Sequence, residues 1–178
     1  MDESDRSPAP HDEGDDQPPS GPRASIEVID ATGVLSVDLL AWLRGRALAA
    51  LGEMGNAGSV RVRIVDDAEM SVAHERYAGV SGTTDILTFD LSEPCDDFSS
   101  KVLDIDLIIC VDRARRQGED RGHGTERELL LYIVHGVLHC LGYDDHDESG
   151  YRAMHEREDE ILSAIGVGRT FFVEGSGS

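Results

Sequence analysis

The feature that most constrains this chain of 178 residues is a long apolar run in its C-terminal third, residues 126–141. Thr125 and Glu128 stand ahead of it with the T-x-x-E spacing of a capping box, which predicts the start of a helix. Gly142 is suited to the position just beyond the helix end. The run therefore predicts one long helix over 126–141.

Two histidines, His135 and His139, lie four residues apart in this run, so both imidazoles project from the same face of the helix. Zinc hydrolases bind their metal with this spacing. The pair alone also fits two partly buried polar residues that bind nothing. The metal is favoured because the chain can turn back at Gly142, and ligand-type residues follow there: Asp144, Asp145 and His146. Three protein ligands and one open position predict a catalytic zinc site.

The residue after the first histidine argues against a peptidase. Zinc peptidases of the H-E-x-x-H type carry their general base there, and this chain carries Gly136. The remaining histidines of the domain are expected on the surface or in loops: His74, His123 and His155.

Three scattered cysteines, Cys95, Cys110 and Cys140, share no C-x-x-C spacing and are typical of buried thiols in a reducing compartment. No apolar run approaches the roughly 18 residues of a membrane span, and the N-terminus shows no secretory signal. We expect a cytoplasmic protein with no membrane partner.

The formal net charge is −20, and residues 1–25 contribute −5 of it through seven acidic residues and two arginines. An acidic surface opposes nonspecific binding of nucleic acid, because neutralising phosphates normally provides that affinity. It does not exclude a local site whose charge is dominated by a metal ion.

The domain organisation follows from composition and periodicity. Residues 1–24 contain almost no large apolar side chains and predict a disordered acidic tail, followed by one domain over 25–168 and a C-terminal tail over 169–178.

Strands are predicted at 25–30, 60–65, 85–91 and 104–111, the last of them central. Helices are predicted after Ser36, at 67–78, at 112–117 before a polar loop (118–124), at 126–141 and at 148–165. The inner stripe of the first helix is expected to be Leu39, Leu40, Leu43, Ala47, Leu48 and Leu51. This order predicts an α/β fold, a small mixed sheet flanked by helices.

Three segments resemble the YbeY family, bacterial endoribonucleases of ribosomal RNA maturation. HGVLHCLGYDDH (135–146) is similar to the family motif HGxLHLxGYDH. TTDILTFDL (83–91) resembles the family's P-T-D-V-L-S-F segment, and MHEREDEIL (154–162) resembles its closing helix, with Met154 and Glu158 in place. The likeness spans roughly residues 26–166.

The resemblance implies an α/β fold, one zinc ion held by three histidines and cleavage of single-stranded RNA. It also implies a role on the small ribosomal subunit, in maturation of the 3′ end of its precursor RNA and in ribosome quality control. His135 and His139 match the first two ligands. Counted without gaps, the third falls on Asp145, and one extra loop residue makes it His146. We expect His146, since an imidazole completes a three-histidine site.

An arginine usually follows the tyrosine or phenylalanine upstream of the family's P-T-D segment, but here Ala78 follows Tyr77. Arg76 is therefore the candidate catalytic arginine, although its spacing also fits a solvated helix-end residue. The missing arginine and the acidic surface favour an alternative function, a zinc-binding ribosome-assembly factor that binds RNA without cutting it.

Overall fold

Four strands form one mixed sheet in the computed structural model, which describes residues 23–171. The strands are β1 (Ala24–Asp30), β2 (Gly58–Val65), β3 (Ile86–Asp90) and β4 (Leu103–Cys110). They lie in the order β1-β2-β4-β3, with β1, β2 and β4 parallel and β3 antiparallel to β4. The prediction of a small mixed sheet is confirmed, and so is the interior position of its most apolar strand.

Five helices accompany the sheet in the part of the chain that the structure describes: α1 (Val37–Met54), α2 (Asp67–Ala78), α3 (Val111–Arg121), α4 (Thr125–Cys140) and α5 (Glu148–Ala164). One turn of 3-10 helix, Phe98–Ser100, lies between β3 and β4. Ser36 caps α1 by accepting a hydrogen bond from the backbone N–H of Leu39, as predicted. The α/β class is therefore confirmed.

Strict alternation along the strands gives the sheet a core face and an open face. Val60, Val62 and Ile64 of β2 are buried on the core face, as their period of two predicted. On the open face, Arg61 pairs with Asp104 and Asp106 of the neighbouring strand. Helices α1 and α4 pack on the core-face side, so the domain has one main hydrophobic core between them and the sheet.

Helix α4 lies closest to the sheet at Gly136. A Cβ atom at this position would lie 2.7 Å from Cδ1 of Ile86, 2.9 Å from Cδ2 of Leu107 and 3.0 Å from Oγ1 of Thr88. A side chain at this position would displace the ends of the Ile86, Leu107 and Thr88 side chains, so glycine fits best between helix and sheet here. The packing gives a structural reason why glycine, and not the general base of a zinc peptidase, follows His135.

The segment between the predicted helices at 112–117 and 126–141 differs from expectation. Helix α3 continues to Arg121, through most of the predicted polar loop, because Gly118 packs against the carbonyl of Gly124 instead of breaking the helix. The predicted capping box does not form. Gly124 is the N-cap residue of α4, without a side-chain hydrogen bond, and Glu128 is fully buried instead.

Three further expectations from the sequence are wrong. Leu48 is 45% exposed although it was expected on the inner stripe of α1, because the buried stripe runs through Ala47 and Ala50. Cys95 is exposed, whereas the other two cysteines are buried and all three are free thiols. His155 was expected on the surface or in a loop, but it lies in α5 with its side chain almost completely buried beside Glu158. His123 lies in the loop between α3 and α4, as expected, although its side chain is almost completely buried beside Glu128.

The predicted C-terminal tail begins as part of the domain. The backbone N–H groups of Thr170 and Phe171 donate to Asp159, and the ring of Phe171 stacks on His155 with 3.7 Å between centroids. The rest of that tail, 172–178, and residues 1–22 of the predicted acidic tail lie outside the described residues. Within 23–171, no helix is long and apolar enough to cross a membrane.

The close contact at Gly136 leads to a stability prediction. Gly136→Ala should lower the free energy of unfolding by about 1–3 kcal/mol, because the added methyl group forces Ile86 and Leu107 out of position. The measurement is chemical denaturation of both proteins.

Gly45→Ala provides the matched control. Gly45 also lies inside a helix, and its added Cβ would meet nothing within 4 Å, so this variant should be neutral or more stable by up to about 1 kcal/mol. Equal effects of the two substitutions would contradict the packing of α4 on the sheet.

Candidate metal centre

His135 and His139 lie on the last two turns of α4 and face each other. Their ring centroids are 4.5 Å apart, and their Nε2 atoms are 3.0 Å apart. The spacing of four residues predicted a shared face, and the structure brings both rings to one point on it.

The other nitrogen of each ring is held by an acceptor that has no proton to give. Nδ1 of His135 donates to Oε1 of Glu158 at 2.7 Å, and Nδ1 of His139 donates to the backbone carbonyl of Tyr143 at 3.0 Å. Each neutral ring therefore carries its proton on Nδ1 and directs the Nε2 lone pair at the other ring. Two lone pairs at 3.0 Å repel each other unless a proton or a metal cation lies between them. The arrangement is suited to a metal ion.

Glu158 is a fully buried carboxylate of α5 that contacts two imidazoles. Its Oε1 accepts from His135 and its Oε2 accepts from His155 at 2.5 Å. Burial by itself lowers the pKa of His135, but the hydrogen bond to Glu158 and the charge of that carboxylate outweigh it and hold the pKa above its usual value. A carboxylate behind a histidine is the usual support of a metal-binding imidazole.

The turn after α4 holds the second histidine. Gly142 has a φ of +87°, a conformation that favours glycine, and the N–H of Tyr143 donates back to the carbonyl of Leu138. This turn directs the Tyr143 carbonyl at the His139 ring. The predicted helix end at Gly142 thus also fixes the orientation of a candidate ligand.

The return loop from Gly142 to α5 has little freedom. Asp147 caps α5 by accepting from the N–H of Gly150, and a Cβ atom on Gly150 would lie 2.0 Å from the carbonyl oxygen of Asp144. With the backbone held there, the side chain of Asp145 faces the histidine pair. Its oxygens lie 3.9 Å from Nε2 of His135 and 3.8 Å from Nε2 of His139.

The predicted third ligand, His146, is not brought to the histidine pair. Its side chain is 85% exposed, and its Nδ1 contacts the carboxylate of Asp144 instead. That carboxylate raises the pKa of His146, and the imidazole in turn lowers the pKa of Asp144. Asp145, the gap-free alternative, occupies the inner position, where its carboxylate faces both histidines.

Arg76, the predicted catalytic arginine, also lies away from the pair. Its guanidinium lies 5.4 Å from the centroid of the Tyr77 ring, and Tyr77 packs edge-on against Phe89 of β3. Phe89 is on the open face of the sheet, since it pairs with Asp106, whereas α4 packs on the opposite face. The cavity beside His135 is not lined by Arg76.

The donor set fits zinc. Two imidazole nitrogens and one carboxylate oxygen are among its ordinary ligands, and ligand atoms about 2.0–2.1 Å from a tetrahedral ion lie roughly 3.4 Å from one another. The three observed separations, 3.0, 3.8 and 3.9 Å, bracket that value. His135, His139 and Asp145 therefore form the group in the described residues best placed to hold one metal ion.

Sequence reasoning assigned no role at this site to two polar groups beside it, although Glu158 was matched to the family's closing helix. Glu158 carried a readable signal, since it lies on the same face of α5 as Met154, Ile161 and Leu162, and a charge on an apolar stripe needs a buried partner. Arg121 carried none, because it was read as part of a loop. It lines a cavity of about 200 Å³ together with His135 and Asp145.

Comparison with known proteins gives consistent results. A family model described as "Endoribonuclease YbeY" matches residues 38–166. A protein of Macrococcus caseolyticus named Endoribonuclease YbeY is 44% identical over 114 residues, which cover 62% of this chain and 73% of the relative. One of the same name from a Nocardioides species is 36% identical over 146 residues, or 79% of this chain and 97% of the relative.

The fold has a counterpart among solved structures. The solution structure of TM1509 from Thermotoga maritima superposes with a TM-score of 0.53, covering 87% of this chain and 99% of that one. At 19% identity this likeness concerns the fold alone. The match of the family model over most of the domain and the identity to full-length relatives together establish that the chain belongs to the endoribonuclease YbeY family.

Proposed function

We propose that this protein is a zinc-dependent endoribonuclease that cuts single-stranded RNA and holds one zinc ion per chain through His135, His139 and Asp145. The observation that carries the proposal is the pair of Nε2 atoms, which face each other at 3.0 Å while both Nδ1 atoms donate to fixed acceptors. The names of the relatives support RNA as the substrate.

A zinc ion held there would supply Lewis acidity, drawing charge from the phosphoryl oxygens of a phosphodiester and making a water molecule a better nucleophile. The chain's own residues do the positioning. Glu158 and the Tyr143 carbonyl fix both imidazoles before substrate arrives, so no reorganisation is needed at the site. Gly136 keeps α4 against the sheet and so sets the depth of the histidine pair.

The finer assignment follows the family. We propose precursor ribosomal RNA as the substrate, at the 3′ end of the small-subunit RNA, with the small ribosomal subunit as partner and ribosome quality control as a second task. The cytoplasm is the proposed location, supported by three cysteines that are free thiols.

One observation favours the alternative, an assembly factor that binds RNA without cutting it. Arg76, the arginine expected to stabilise charge at the reacting phosphate, lies with Tyr77 on the open-face side of the sheet. A site without any cation beyond the metal would have less to stabilise a transition state.

Cleavage assays distinguish these functions. Zinc-loaded protein should cut a single-stranded oligoribonucleotide and leave an unstructured peptide intact, and a chelator should stop the reaction. His139→Ala should reduce cleavage to background, while His74→Ala, which alters a partly exposed histidine bonded to the Gly82 carbonyl, should leave it unchanged. RNA that is bound by the zinc-loaded protein but never cut would favour the assembly factor.

Adjacent substitutions identify the third ligand. Asp145→Ala should lower zinc content, measured by elemental analysis, about as severely as His139→Ala, because each removes one of three ligands. His146→Ala should retain zinc, since its side chain is exposed and turned towards Asp144. Zinc loss in His146→Ala combined with retention in Asp145→Ala would reverse the assignment and restore the three-histidine site.

The carboxylate behind the site should tune affinity. Glu158→Gln removes the negative charge that supports His135 while keeping the side-chain shape, so zinc affinity should fall about 10- to 100-fold in a chelator competition. Glu160→Gln, on the same helix but exposed and paired with Arg157, is the control and should bind zinc normally. Unchanged affinity in folded Glu158→Gln would show that Glu158 does not support the ligand.

A further inference from the structure

A cavity of about 200 Å³ opens beside the candidate metal centre and extends towards the C-terminal end of α3. His135 and Asp145 line it on one side and Arg121 on the other, with Tyr151, half-exposed, also in its wall. The cavity thus joins the residues of the candidate metal centre to a cationic side chain that no step of the proposed function uses.

The charge of the cavity makes this cation significant. Three carboxylates line the cavity: Asp85, Asp145 and Glu158. Arg121 is the one permanently cationic side chain among the described lining residues. The protein carries a net charge of −20, so a polyanion is repelled at long range. RNA that reaches the metal centre needs local positive charge near the phosphates that flank the reacting one.

The guanidinium of Arg121 is held in place by one hydrogen bond and keeps further N–H donors for a ligand. Nη1 donates to Glu128 at 2.6 Å, and the guanidinium carbon lies 5.0 Å from the centroid of the Phe171 ring. Within residues 23–171, Glu128 is its hydrogen-bonding partner, which leaves donors on Nε and Nη2 available. The side chain is 36% exposed, so a ligand in the cavity can reach them.

Glu128 explains how the arginine stays in place. This fully buried carboxylate accepts from Arg121 through one oxygen and contacts Nε2 of His123 at 2.5 Å through the other. A planar guanidinium can satisfy a carboxylate with one arm and bind a phosphate with the other, which a lysine ammonium does less well.

We infer that Arg121 is a substrate-contacting residue, which binds an RNA phosphate next to the one at the metal centre while Glu128 holds its other arm. The inference rests on the proposed function, since it assumes that RNA reaches the site. Arg121 thereby supplies, from the C-terminal end of α3, the arginine near the metal centre that was expected from Arg76 at the end of α2, but it binds a flanking phosphate instead of the reacting one.

The test measures how tightly the zinc-loaded, full-length protein binds a single-stranded oligoribonucleotide. Binding is measured by fluorescence anisotropy over a range of salt concentrations, at low temperature so that cleavage is slow. Arg121→Gln should weaken binding roughly tenfold, as expected for loss of a hydrogen bond to a charged group. The slope of log affinity against log salt should become shallower by about 0.7, the value for one phosphate contact on a single strand. A purely structural role would lower thermal stability without changing that slope.

Arg115→Gln is the matched control, because Arg115 lies on the same helix, is about half-exposed and pairs with Asp112 away from the cavity. It should leave affinity and slope close to wild type. Wild-type affinity and slope in Arg121→Gln would overturn the inference, and so would an equal effect of the two substitutions.

A second variant, Arg121→Lys, tests the inference if Arg121→Gln does not fold. If Arg121→Gln is unfolded, Arg121→Lys keeps a charge beside Glu128 but loses the second arm, so it should bind RNA several-fold more weakly with a similar slope. Wild-type affinity in folded Arg121→Lys would then contradict the inference. If the wild-type protein itself binds no single-stranded RNA, the proposed function fails instead.

Discussion

The hydrogen bonds of one buried carboxylate, Glu158, govern the arrangement of the site. The cost of burying its charge is offset by two imidazoles, His135 from α4 and His155 from its own helix. The first of these bonds joins α5 to α4 and fixes which nitrogen of His135 carries the proton. Once that proton is placed, the Nε2 lone pair has one direction to face, and the bond from His139 to the Tyr143 carbonyl sets the second lone pair against it.

Most helices and strands could be predicted from the sequence, because the periodicity of apolar residues shows which side of each element faces the core and which side faces water. The alternation of Val60, Val62 and Ile64 and the apolar run of α4 were read directly. Contacts between side chains of different elements were harder to predict from the sequence, because they depend on which elements pack against each other in the fold. Glu128 has the spacing of a local cap, but α3 and the turn after it supply Arg121 and His123, and their partly buried contacts with Glu128 replace the cap.

The choice of the third metal ligand likewise could not be predicted from the sequence alone. Residue type favoured His146, since an imidazole is a good zinc ligand, while spacing favoured Asp145. In the structure the Asp144 carbonyl lies against Gly150 and Asp147 caps α5, and with this backbone Asp145 faces the histidine pair. Gly150 and Asp147 lie beyond the motif, at the start of α5, so the motif alone contains no information about these contacts. For the same reason the stretch around Tyr77 suggested Arg76, which lies away from the cavity beside His135.

The contact between Asp144 and Gly150 has a consequence for how this centre can change over evolution. Because the backbone there is fixed, the position that faces the histidines is set independently of the side chain that occupies it. A substitution at 145 that exchanges the carboxylate for an imidazole would place the new side chain on the same side of this backbone as the histidine pair. With Asp145 bound, a divalent ion would keep one net positive charge, and with a third imidazole it would keep two, which doubles its Coulomb attraction for a phosphate. One codon can thus set how strongly the centre attracts RNA while the scaffold stays the same.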